Sequence, residues 1–201
     1  MRKVAFIDVQ NTETTALRVL KFAIDYERLF LFLKDTWGCD RVFFYPGIQY
    51  GDEVRDSIFL KLKEIGAIVK PKYYLVYKNE DKLISTRCPK CNMQITQQIN
   101  MGHSWKCNCD VELTIDVLDN IDKGVEIILF TGDGDFELLI KKAIEAESKI
   151  TIVSSARKLK VGSRYSTSRL STKLRRLTKE KGLPVRFLEL NNLLFRINKE
   201  T

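Results

Sequence analysis

Ile127-Ile-Leu-Phe-Thr-Gly-Asp-Gly-Asp-Phe136 is an apolar run that ends in two carboxylates. The residues before Thr131 are apolar without alternation, the pattern of a strand covered on both faces. After Asp135 the spacing turns helical, with Phe136, Leu139, Ile140, Ala143 and Ile144 recurring at three and four. Asp133 and Asp135 are therefore expected in a tight strand-to-helix turn that Gly132 and Gly134 leave free to bend. Two readings of these acids stay open. Asp133 caps the helix with Asp135 near its positive end, or both serve a ligand, because open α/β sheets bind ligands at the carboxyl ends of their strands.

Outward from this turn, extended and helical patterns alternate. Lys3–Asp8 reads as a buried strand ending in a carboxylate, and Arg41–Tyr45 as a second strand closed by Pro46-Gly47. Ala67–Tyr77 is a third extended segment; Lys149–Val153 and Val185–Leu188 are later ones. Helical spacing runs from an Asp25 cap to near Gly38, over Asp52–Ile65, from Asp110 to Gly124 and over Leu170–Lys181. Val9–Thr12 reads as a polar turn, Glu13–Ile24 as irregular, and Leu193–Ile197 as a tail that packs back. The alternation predicts a single α/β domain over residues 1–201 with a mostly parallel sheet. Lys78–Cys109 (residues 78–109) breaks the rhythm and reads as an insertion with its own metal core.

A chain of 201 residues with 44% hydrophobic and 30% charged residues fits a soluble globular protein. It shows no signal peptide and no membrane span, so a cytoplasmic location is expected. The net charge of +8 is unevenly placed: residues 154–182 hold ten Lys or Arg against one acid, more than the whole excess. Such a segment points to a polyanion partner, with a solvated basic surface as the plainer reading. Lys158, Lys160, Arg164 and Arg169, interspersed with Ser and Thr, are the expected phosphate contacts.

Four of the five cysteines, Cys88, Cys91, Cys107 and Cys109, fall within 22 residues, while Cys39 is isolated. In an intracellular chain such pairs favour structural Zn²⁺ over disulfides, and four thiolates make a closed tetrahedral site. His103, the single histidine, could replace one cysteine or be an ordinary loop residue. Trp105 and Lys106 are candidates to stack on bases or touch phosphates, unless Trp105 joins Ile95 in a miniature core of the insertion.

Asp8 and Asp133 each close a strand, and Asp110 opens the helix after the insertion, so three distant carboxylates can converge on one sheet edge. Unpaired, they repel; a Mg²⁺ or Mn²⁺ ion relieves that repulsion and brings metal-assisted attack of water on a phosphodiester within reach. Asp116 lies six residues after Asp110, roughly 120° away around a helix, and is expected one layer out. The single histidine argues against a Ser-His-Asp triad, and no glycine-rich Lys-Ser/Thr phosphate loop is present.

Phe6-Ile-Asp-Val-Gln-Asn11, Asp110-Val-Glu-Leu-Thr-Ile-Asp116 and Leu129-Phe-Thr-Gly-Asp-Gly-Asp-Phe136, in that order, resemble the NYN domain family of PIN-like nucleases. On that resemblance Asp8, Asp110, Asp116, Asp133 and Asp135 match the family's acids, Asn11 its asparagine and Thr131 its hydroxyl residue. It implies a Rossmann-like three-layer α/β/α fold, divalent-metal dependence and cleavage of RNA, expected to be single-stranded. Two departures stand out: Val9 replaces the usual glycine, and Asn108-Cys109 replaces a lysine-glycine pair before Asp110. They motivate the alternative of an RNA-binding adaptor with little or no activity; a DNA or structure-specific nuclease is a third reading.

Overall fold

Neighbouring residues of the first strand, β1 (Arg2–Asp8), go to opposite faces of a sheet: Val4 and Phe6 enter one apolar cluster, Ala5 and Ile7 another. The unbroken apolar run at the sequence level is thus a strand buried on both sides. The computed structural model describes residues 1–161, 164–165 and 168–199. After β1 come α1 (Val9–Thr14), continued by a π-helical turn over Thr15–Leu20, α2 (Tyr26–Leu31) and β2 (Arg41–Tyr45). Then follow β3 (Gly47–Ile48), α3 (Glu53–Glu64), β4 (Ile68–Val69) and β5 (Lys72–Tyr73). An arm comprises β6 (Leu75–Lys78), β7 (Lys82–Arg87), β8 (Gln94–Ile99) and β9 (His103–Lys106). The chain returns through α4 (Asp110–Leu118), β10 (Val125–Phe130), α5 (Glu137–Glu145) and β11 (Lys149–Ser154). It ends with β12 (Lys160–Val161), β13 (Arg164–Tyr165), α6 (Thr172–Leu177), β14 (Val185–Glu189) and α7 (Leu194–Ile197).

The central sheet has the order β14-β11-β10-β1-β2-β4, and every pairing in it is parallel. On one face, Ala5, Ile7, Phe44, Ile128 and Phe130 pack with Val9, Leu29, Phe30, Phe59, Leu62 and Ile197 of α1, α2, α3 and α7. On the other, Phe6, Phe43, Ile127, Leu129 and Ile152 pack with Leu113, Val117, Leu139, Ile140, Leu174 and Leu177 of α4, α5 and α6. This is the expected three-layer α/β/α arrangement. Among the described residues no helix is long and apolar enough to cross a membrane.

The chain builds outward from β1 to β2 and β4, then returns to pair β10 with the other side of β1. Strand order therefore reverses between β1 and β10, and a crevice opens at their carboxyl ends. Asp8 closes β1, and the Thr131–Asp135 turn follows β10 directly.

Two expectations need correction. Val9–Leu20 is helical rather than a turn followed by irregular chain. The Asp8 side chain caps α1 by accepting from the Asn11 amide, and the Thr14 and Thr15 hydroxyls donate to the carbonyls of Gln10 and Asn11, so β-branched residues are absorbed into a helix their propensity disguises. The four clustered cysteines do not meet. β6 pairs antiparallel with β9 and β7 with β8, which makes one long two-stranded arm. Cys88 and Cys91 lie beyond the Arg87↔Gln94 pair at its tip, whereas Cys107 and Cys109 follow the Leu75↔Lys106 pair at its base. The paired ladder holds them apart, and among the described residues no three His, Cys, Asp or Glu gather as a metal group.

Glu126, 5% exposed on β10, ties three strands: Oε1 accepts from the Thr151 hydroxyl at 2.6 Å and from Arg186 at 2.7 Å, and Arg186 Nε also donates to Thr151. Arg186→Met leaves that buried carboxylate without its cation. We expect a loss of about 2 kcal/mol in urea unfolding, kept at the low end because the guanidinium is largely solvated, with partial recovery in Glu126→Gln/Arg186→Met.

Candidate nucleic-acid and metal site

At the crevice, Asp8 is held at both carboxylate oxygens. Oδ1 accepts from the Asn11 amide at 3.0 Å and Oδ2 from the Thr131 hydroxyl at 3.1 Å. Thr131 in turn accepts from the Asp133 amide, and Thr12 donates to the carbonyls of both Asp8 and Phe130. The ends of β1 and β10 are thereby laced together. Asn11 Oδ1 accepts from the Gly132 amide at 3.1 Å, which fixes its orientation and leaves its NH₂ group as a donor.

A cleft of about 390 Å³ is lined by Asp8, Asn11, Asp110 and Asp133, together with Arg18 and Arg169. Burial is the main force that raises the Asp8 pKa to about 6; bonds from Asn11 and Thr131 oppose the rise, and the charges of Asp110 and Asp133 add to it. Asp110 is likewise raised by burial and then by Asp133, Asp135 and Glu112. Burial lowers the Arg169 pKa, while Asp8 and Asp133 act to raise it. Three carboxylates and two guanidiniums thus share one field. The acids line the same cleft without being drawn together to the spacing at which three would hold one ion. As hard oxygen donors lining one cleft, they suit a hard divalent cation.

The remaining acids take different places. Asp133 caps the short turn before α5, with Oδ1 accepting from the Asp135 amide, so the capping role and a position on the cleft coexist. Asp135 is exposed at the rim. Asp116 points away: it is 7% exposed, with Oδ2 accepting from the Tyr45 hydroxyl at 2.7 Å and Oδ1 from Lys70 at 2.6 Å. Tyr45 itself lines the cleft and is paired across the sheet with Asp8, which puts Asp116 one layer out. Val9 is fully buried in the core, so its replacement of glycine does not obstruct the cleft wall.

Arg18 escaped the sequence reading. Asn11, Thr14 and Arg18 all line the cleft and are spaced three and four apart, a helical face that the irregular reading of Glu13–Ile24 concealed. Tyr45 and Lys70 gave no signal before the fold placed them. Of the basic candidates, Arg169 reaches the cleft and Lys158 is exposed outside its lining. The side chains of Lys160 and Arg164, with residues 162, 163, 166 and 167, lie outside the described residues. Trp105 and Lys106 sit on β9; Trp105 borders a separate hollow with Glu13 and Arg55, and Lys106 Nζ stands 5.6 Å from the Tyr77 ring centroid.

Gly132 is required for close approach rather than for unusual φ. A Cβ there would lie 2.2 Å from the Arg169 carbonyl oxygen and 2.5 Å from Ser154 Oγ. The basic segment is thus pressed onto the acidic turn, and the Ser171 amide donates to the Gly132 carbonyl.

An α/β/α sheet with carboxylates at its switch point has the form of a PIN-like nuclease fold. The NYN domain model matches residues 3–169, and the chain belongs to that family. A 50-residue stretch is 40% identical to the Low amplitude and bright protein LabA of Synechococcus elongatus, spanning 25% of this chain and 27% of LabA. The crystal structure of VPA0982, a protein of unknown function from Vibrio parahaemolyticus, superposes with a TM-score of 0.61 at 20% identity, covering 94% of this chain and 93% of that one; the likeness is one of fold.

Two outcomes follow from the geometry. An aspartate whose folded pKa exceeds its unfolded value destabilises the fold as it ionises; the penalty is absent below about 3.8 and complete above about 6. Asp8→Asn removes it, so the variant should be more stable than the parent at pH 7.5 by roughly 2 kcal/mol, about 5 °C in Tm, with the difference fading below pH 4. Gly132→Ala should lose about 3 kcal/mol in denaturant titration, because backbone and not a flexible side-chain end opposes the new methyl.

Proposed function

We propose that this chain is a divalent-metal-dependent ribonuclease that hydrolyses phosphodiester bonds of single-stranded RNA in the β1/β10 cleft. The observation that carries the reading is that Asp8, Asp110 and Asp133, from three distant segments, line one cleft with Arg18 and Arg169. Asp8, Asp110 and Asp133 are the residues that would hold Mg²⁺ or Mn²⁺, which when bound supplies Lewis-acid polarisation of the phosphate and a lowered pKa for water. Arg18 and Arg169 bind phosphate oxygens, and the Asn11 NH₂ group orients one of them. Asp116 acts through Tyr45 by fixing the cleft wall, and Asp135 adds negative field at the rim. The hydroxyls of Ser168, Ser171 and Thr172, which share a hollow with Asn11, Asp133 and Arg169, continue the phosphate track. RNA as the substrate class rests on the family resemblance.

The test incubates end-labelled single-stranded RNA, with matched DNA as control, in Mn²⁺ and in EDTA. Cleavage should require the metal and fall at least about 100-fold in Asp133→Asn. Mn²⁺ should raise the Tm of the parent more than that of Asp8→Asn. Arg169→Ala should weaken RNA binding and reduce its salt dependence by about one phosphate contact. RNA binding without cleavage under every metal condition would instead assign an adaptor, the reading that Asn108-Cys109 at the cleft favours.

A further inference from the structure

Cys88-Pro-Lys-Cys91 closes the tip of the arm, and the turn is shaped as a ligand turn. The backbone amides of Cys91 and Lys90 and the Cys91 thiol hydrogen-bond to the Cys88 sulfur. The Cys88 amide donates to the Met93 carbonyl and the Asn92 amide to the Cys88 carbonyl, both at 2.9 Å, with Asn92 at φ +56°. Both sulfurs are free thiols; Cys91 is exposed and Cys88 partly so. Two thiolates two residues apart are half of a closed tetrahedral zinc shell.

Among the described residues the other half does not stand beside it. Cys107 and Cys109 stand at the arm's base with sulfurs 4.0 Å apart, beyond the Leu75↔Lys106 pair. His103 pairs with Lys78, with the whole β7–β8 ladder between it and the tip. Six register pairs separate the tip from the Asn79–Asp81 bend, about 20 Å of strand. The ribbon is also unfinished as a folded unit. Every residue of β7 and β8 is exposed, and the register sets Ile84, Ile95 and Ile99 on one face. A two-stranded hairpin with no covered face is marginal in water.

We propose that the arm joins two copies of this chain: the Cys88–Cys91 turns of two protomers share one Zn²⁺ through four thiolates, and the isoleucine faces of the two ribbons cover each other. A two-fold axis through the metal makes the contact self-complementary, as closed homodimers require. The assignment is independent of the chemistry in the cleft.

The test uses the full chain, purified under reducing conditions, loaded with Zn²⁺ and freed of excess. Metal analysis should give about one zinc per two chains, and sedimentation should show a dimer that a chelator dissociates to monomers with unchanged far-UV circular dichroism. Cys88→Ser and Cys91→Ser should each be monomeric and zinc-free, whereas Cys107→Ser/Cys109→Ser should keep both the zinc and the dimer. Co²⁺ in place of zinc should show the thiolate charge-transfer absorption of a four-sulfur site in the dimer alone. One zinc per chain that needs all four cysteines, a zinc-loaded monomer, a dimer that only a reductant dissociates, or zinc-free protein with intact thiols would each overturn the assignment.

Discussion

A carboxylate buried at the crevice loses its water, the like charges beside it add to that cost, and part of the local architecture offsets it. Asp8 ionises with difficulty because burial strips its water, and its two oxygens regain only part of that solvation from Asn11 and Thr131. The same two bonds tie α1 to β1 and β1 to β10. The feature that strains the site is therefore also the one that fixes the two central strand ends in register. A fold that keeps this arrangement gives up stability at neutral pH for a concentrated negative field, the usual signature of a functional cleft.

The positive side of the cleft is built with similar economy. The basic segment after β11 crosses the Gly132–Gly134 turn so closely that a single added methyl would collide with its backbone. Arg169 is thereby carried to the acids, while Arg18 arrives from the opposite end of the chain on the extended first helix. Burial weakens the hold of Arg169 on its proton, and Asp8 and Asp133 offset that only in part.

Much of the site was legible along the chain. The strand-ending Asp8, the helix-opening Asp110 and the Thr131–Asp135 turn are each marked by a change of apolar period, and period is a local property. Arg18 was lost because threonines and β-branched residues blur the helical signal from Val9 to Leu20, which capping by Asp8 and hydroxyl-to-carbonyl bonds then impose. The expectation of one Cys₄ centre failed for a different reason. Spacing in sequence says how closely two cysteines can approach, but antiparallel pairing in the arm decides that neighbours in sequence end at opposite ends of a ladder.

By itself the sequence determined the α/β alternation, the doubly buried strands, the acidic turns and the segregation of positive charge, since each is written in composition and short-range period. Only the tertiary structure decided that β10 returns beside β1, so that Asp8 and Asp133 flank one crevice, and that Asp116 turns away to Tyr45 and Lys70. Strand order and helix rotation are set by how whole faces pack, a balance summed over many residues that no single stretch carries.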